Sequence, residues 1–166
     1  MSERKRSFPP VWRGDARLLV LGSLPGEASL AAARYYAHPR NQFWRLMGEV
    51  IGQELEPLPY DERLAALLDA RVALWDVVAE AERPGSLDAA IRGHQANDLR
   101  ALVGELPELR AIGFNGATAA KIGTAALGEA PLEVALVRLP SSSPALPRAY
   151  KEKLTAWLEL RTFLTC

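Results

Sequence analysis

Cysteine is almost absent from these 166 residues: the single one, Cys166, ends the chain. No internal disulfide can form, and no zinc or iron–sulfur site can be built on cysteine. His38 and His94 are the only histidines, too few for a histidine-rich centre, so no metal is expected. No stretch is apolar enough and long enough for a membrane-spanning helix. The N-terminus, MSERKRSFPPVWRG, is basic but lacks the apolar run of a signal peptide. The expected location is therefore the cytoplasm. A dinucleotide-binding glycine loop is missing, as is the lysine of a phosphate-binding P-loop, so no nucleotide cofactor is expected. No serine stands in a G-x-S-x-G elbow.

The net charge is zero, which argues against a broadly basic nucleic-acid binder. Its distribution is uneven. Residues 1–48 carry eight basic and three acidic side chains, residues 49–133 seven and fifteen, and residues 134–166 five and two. If the two ends of the chain meet, they make a basic face suited to phosphates on an otherwise acidic body. Ordinary surface charge is the competing reading.

What remains is an apolar fraction of 49%, enough for one domain with a substantial core. Residues 1–16 are set apart as a basic extension, and residues 17–166 as a single domain. Arg17–Gly22 is a short apolar run that predicts a buried parallel strand, with SLPGEASL after it as a tight loop. Phe43, Leu46, Met47, Val50 and Ile51 recur at helical spacing, and Gly52 is the expected stop. Asp61 is expected to cap a helix carrying Leu64, Leu67 and Leu68. Val72–Val78 is a second strand, followed by the loop ERPGSLDAAIRG with room for a helical turn. Asn97 is a candidate cap for a helix with Leu99, Leu102, Val103 and Leu106 inward. Leu109–Gly116 predicts strand then turn, Ala117–Ala126 a helix, and Val134–Pro140 a fourth strand. A last helix carries Tyr150, Leu154, Trp157, Leu158 and Arg161. Strands alternating with helices give an α/β class: a parallel α/β sandwich of four strands, in one domain. Three strands end in unusual loops, GSLPG, GFNG and LPSSSPA. Ligands bind beyond the carboxyl ends of such strands, so these loops should converge.

Each loop has two readings. Gly22 and Gly26 either make a simple turn or let backbone N–H groups approach a ligand. Ser141, Ser142 and Ser143 either cap the final helix, with Pro144 in its first turn, or grip a phosphate. Asn41 either caps the helix of Phe43 and Trp44 or holds a water or carbonyl. His38 is a surface histidine on the simplest reading, and Tyr35 a core aromatic.

Taken together, GSLPGEASLAAARYYAHPRNQFW (22–44), ALWDVV (73–78), GSLDAAI (85–91), FNG (114–116) and LPSSSPA (139–145) resemble the uracil-DNA glycosylase superfamily, in particular its hypoxanthine-DNA glycosylase branch. The resemblance covers nearly all of the chain after Arg17 and implies a three-layer α/β/α sandwich around a central four-stranded parallel sheet. It implies a monofunctional glycosylase that hydrolyses the base–sugar bond of deaminated bases in double-stranded DNA for base-excision repair, without metal or cofactor. Hypoxanthine is the first expectation, with uracil in mismatches, or xanthine, as the close alternative. A non-catalytic damaged-DNA-binding module and a hydrolase of free nucleosides are the readings from other classes. A monomer is expected.

Such an enzyme flips its nucleotide into a pocket, at a cost of roughly a few kcal/mol. It then stabilises positive charge on the sugar and negative charge on the base. Where many superfamily members carry Asp or Asn in the first motif, this chain has Leu24, which can neither activate water nor stabilise charge. In the hypoxanthine branch the essential asparagine matches Asn41, whose amide carbonyl would orient water toward C1′. Tyr36 matches the aromatic that stacks on the flipped base. Asp76 stands where uracil-specific members read the base edge with asparagine, and a strand-end ion pair is its alternative. Gly22, Ser23, Leu24, Pro25, Gly26, Phe114 and Asn115 would line the same pocket. Ser141, Ser142 and Ser143 would hold flanking phosphates, with Ala145 or Leu146 as a small wedge. Arg40, Arg138, Arg148, Lys151 and Lys153 are candidate phosphate contacts. The last loop lacks the histidine by which other members stabilise the departing base.

Overall fold

The computed structural model describes residues 4–128 and 133–165. Four parallel strands form the central sheet: β2 (Leu18–Gly22), β3 (Val72–Asp76), β6 (Ala111–Asn115) and β7 (Ala135–Leu139), in the order β3-β2-β6-β7. This is the sheet that the apolar runs predict. Leu18–Leu21 are fully buried, as a central parallel strand covered on both faces requires.

Side-chain alternation sends the two faces of β2 to different layers. Leu18 and Val20 pack on one side with Phe43, Leu46, Met47 and Trp157. These come from α2 (Phe43–Ile51) and α6 (Tyr150–Trp157); α3 (Tyr60–Asp69) adds Leu67 to the same cluster. Leu19 and Leu21 pack on the other side with Leu99, Leu102, Ala119 and Ala120, from α4 (Leu99–Gly104) and α5 (Ala117–Leu127). The three-layer sandwich follows. A short α1 (Glu27–Ala32) lies inside the expected tight loop. Gly52 ends α2 in the left-handed region, with φ of 75°, where glycine carries no Cβ penalty.

A second, three-stranded antiparallel sheet is an addition to the predicted fold. Its order is β1-β4-β5, made of β1 (Arg4–Arg6), β4 (Val78–Glu82) and β5 (Arg92–Ala96). The run 72–78, predicted as one strand, divides at Val77. There the Val77 and Val78 N–H groups donate to the Gly22 and Ser23 carbonyls, at 2.8 and 3.0 Å, and the chain leaves one sheet for the other. The basic N-terminal segment packs along both sheets: β1 pairs with β4, and Val11 bridges the outer edge of β3 at Leu74.

Three helix starts differ from expectation. α3 begins at Tyr60 after Pro59, with Asp61 in its first turn rather than at the cap. Asp98, not Asn97, caps α4 through the Ala101 N–H; Asn97 instead donates to Ser7 Oγ and the Asp76 carbonyl. α6 begins after Ala149, so the three serines do not cap it. Among the described residues no helix is long and apolar enough to cross a membrane, and no acidic, histidine or cysteine cluster suits a metal ion.

Candidate active site

Register alone assembles the floor of a site. Gly22 pairs with Asp76, Leu21 pairs with Phe114, and Asn115 pairs with Leu139. The carboxyl ends of β3, β2 and β6 therefore present Asp76, Gly22 and Asn115 side by side. A cavity of about 650 Å³ opens over them. Gly22–Gly26, Tyr36, Asn41, Asp76, Asn115, Ser141–Ser143, Ala145 and Leu146 line it, so the three loops do converge. Phe114 does not: it is buried in the core behind the site. Arg40 and Arg148 are exposed and lie outside the lining. Lys153, a phosphate candidate by sequence, is buried and donates to the Ser143 carbonyl at 3.1 Å. It holds the serine loop from behind.

Gly22 has a steric reason. A Cβ there would lie 2.6 Å from Asp76 Oδ1 and 2.8 Å from Tyr36 Oη, so the missing side chain is the space those two groups occupy. Gly22→Ala should displace both, costing about 1–3 kcal/mol of stability by overpacking. Any reaction carried out in this pocket should slow on the order of 10²-fold through misplacement of its groups. Single-turnover kinetics with a parallel melting curve checks this; unchanged kinetics would refute the packing argument.

Tyr36 adopts a left-handed backbone, with φ of 54°, uncommon for a bulky residue. Its ring stacks on Phe43 at 3.8 Å and 17°. One ring face is thus held by the core, and Tyr36 meets the cavity with the rest. Tyr35 is buried, edge-on to Phe8, and its hydroxyl donates to the Pro9 carbonyl at 2.9 Å; it supports the loop. His38 also lines the cavity, where a surface position is expected. Its Nδ1 accepts the Arg40 N–H at 3.1 Å.

A directed hydrogen-bond chain fixes Asn41. The Ser142 N–H donates to Asn115 Oδ1 at 2.9 Å, which sets that amide's orientation. Asn115 Nδ2 donates to Ser142 Oγ at 2.9 Å and to Tyr36 Oη at 3.3 Å. Ser142 Oγ in turn donates to Asn41 Oδ1 at 2.8 Å, and the Phe43 N–H donates to the same oxygen at 3.0 Å. A backbone N–H can only donate, so Oδ1 is identified chemically. Both its lone pairs are engaged. The carbonyl expected to orient water is occupied, and Nδ2 is the atom of Asn41 left for a ligand. Asn41 is also the helix-start acceptor, as its capping reading expects.

Two functional side chains escape the sequence reading. Arg83 is 1% exposed and donates to the Leu24, Pro25 and Gly85 carbonyls at 3.2, 2.5 and 2.9 Å. It staples the GSLPG loop to the GSLDAAI loop. Asp88 accepts the Ser23 hydroxyl at 2.6 Å and also lines the cavity. The signal was the motif GSLDAAI itself, whose acid has no role as a surface loop residue.

Burial raises the pKa of Asp76 to about 7; the Asp88 charge adds to the rise and the Arg83 charge opposes it. Burial likewise raises Asp88, while the Ser23 hydrogen bond and Arg83 lower it. Asp76 Oδ2 is buried with no hydrogen-bond partner among the described residues. Among the described residues Asp76 makes no ion pair.

The family model described as "Uracil DNA glycosylase superfamily" matches residues 9–162. A protein named hypoxanthine DNA glycosylase from Methanosarcina barkeri is 37% identical over 94% of this chain and 97% of its own. Another so named, from Methanosarcina acetivorans, is 38% identical over 92% and 95%. The solution NMR structure of a candidate uracil DNA glycosylase from Methanosarcina acetivorans superposes with a TM-score of 0.86 at 36% identity, covering 98% of this chain and all of that one.

Proposed function

Because the chain belongs to the uracil DNA glycosylase superfamily, we propose that it hydrolyses the base–sugar bond of deaminated bases in duplex DNA, with hypoxanthine preferred. The observation that carries this reading is the cavity at the strand ends. It combines a flat aromatic (Tyr36), a buried acid (Asp76) and an asparagine held by hydrogen bonds (Asn41).

A flipped base enters beside Tyr36, with its polar edge toward Asp76 and Ser23. As the C1′–N bond lengthens, water must approach the sugar. Asn41 Nδ2 donates to that water's oxygen, leaving its other lone pair free to attack. A strongly electrophilic sugar cation needs a positioned water rather than a strong base, so Leu24 is tolerated where many members carry Asp or Asn. Leu24 is buried in the core cluster and its carbonyl is held by Arg83; it is wall, not catalyst. Ser143, Ala145 and Leu146 form the rim that faces the duplex, with Arg40 and Arg148 outside it for phosphates. The test is release of free base from a duplex carrying one deoxyinosine. Release from the duplex and none from free deoxyinosine supports the reading; the reverse favours a nucleoside hydrolase.

A further inference from the structure

The departing base takes the electron pair of the C1′–N bond, and an ionised carboxylate beside it would oppose that charge. The cavity places Asp76 there. Only 3% of Asp76 is exposed. Its Oδ2 is buried without any donor among the described residues, so Oδ1, close over Gly22, is the oxygen open to a ligand. An anion at this position would leave half its charge with no hydrogen bond, an arrangement that buried carboxylates avoid by staying protonated. The charged and titratable groups around it are few: Asp88 from the 3-10 turn Asp88–Ala90, Arg83 after β4, and the hydroxyls of Tyr35 and Tyr36. Arg83 directs its donors to the Leu24, Pro25 and Gly85 carbonyls, and the Ser23 hydroxyl serves Asp88. Neither gives Asp76 a hydrogen bond.

We propose that Asp76 meets the base as a neutral carboxylic acid and donates its Oδ1 proton to the base as it departs. This rests on the glycosylase reading above. The C1′–N bond breaks with its electron pair going to the base. The Asp76 proton goes to an acceptor on that base, its carbonyl oxygen or an unprotonated ring nitrogen. Water bonds to C1′ and its surplus proton returns to the carboxylate or to solvent, so the base leaves neutral. Burial keeps the proton on Asp76, and the negative charge of Asp88, which accepts from Ser23, adds to that effect.

The direction of the pH effect follows. The raised acid is protonated below its pKa of about 7 and ionised above it. Activity that needs the acid form is full on the acid side and falls as pH rises, by roughly tenfold per unit. Single-turnover release from a deoxyinosine duplex is measured between about pH 5.5 and pH 8, by wild type, Asp76→Asn, Asp88→Asn and His38→Gln. The wild type should show the falling limb. Asp76→Asn, whose amide can hydrogen-bond to the base but cannot transfer a proton, should release base on the order of 10²-fold more slowly than the wild type at low pH, and without that limb. Asp88→Asn, which can still accept from Ser23, should move the limb to lower pH. His38→Gln should keep it, separating Asp76 from the cavity's histidine. A flat or rising wild-type profile overturns the proposal. So does a limb that persists in Asp76→Asn, or a folded Asp76→Asn that matches the wild-type rate at low pH. No release by wild type from any duplex would instead fail the glycosylase reading itself.

Discussion

Asn41→Ala should leave a folded protein that releases base about 10² to 10³ times more slowly, the usual loss when one pre-placed polar group is removed from a reacting centre. Two effects are separable in this variant. The Phe43 N–H loses its acceptor at the start of α2, which costs about 1 kcal/mol. In a chain of this size that lowers Tm by only about 2–4 °C. Ser142 Oγ also loses the oxygen to which it donates, but it still accepts from Asn115, so the serine loop keeps its anchor. The kinetic loss far exceeds the structural one because Nδ2 is the part of Asn41 that the protein does not use. Single-turnover rates with a melting curve decide it. Near-normal turnover in the folded variant would remove Asn41 from the mechanism.

Arg83→Ala should lose about 3 kcal/mol of stability, the scale for removing one partner from a buried charged network. The substitution deletes a guanidinium and also strands three carbonyls, those of Leu24, Pro25 and Gly85. Each orphaned acceptor carries a desolvation penalty of about 1–3 kcal/mol where water cannot enter. The GSLPG loop then loses its link to the GSLDAAI loop, and base release falls with it. Arg83→Lys should recover only part of the stability, since an ammonium lacks the planar fork that spans separate carbonyls. Denaturant midpoints measure this. A midpoint for Arg83→Ala within about 0.5 kcal/mol of wild type would show that the loops hold without the staple.

The central sheet was legible because its strands are short apolar runs, and α2 because five apolar residues recur at helical spacing before Gly52. The second sheet was not. Its strands VAEAE and RGHQA lack an apolar alternation, and every residue of β5 is exposed. They are strands because their backbones pair, not because their side chains demand it. Arg83 and Lys153 were illegible for a related reason. A charged residue in sequence reads as solvated, and only the fold shows the carbonyls that bury it. Asn41 was found through its motif, but not which of its atoms is free. That depends on Ser142, 101 residues away.

The most direct test of the account is base release from matched duplexes carrying one hypoxanthine, uracil or xanthine, with rates compared under single turnover. Hypoxanthine should leave fastest, and its release should depend on Asn41. No release from any of the three duplexes, by folded protein that binds them, would contradict the account and leave this site a reader of damaged DNA rather than a catalyst.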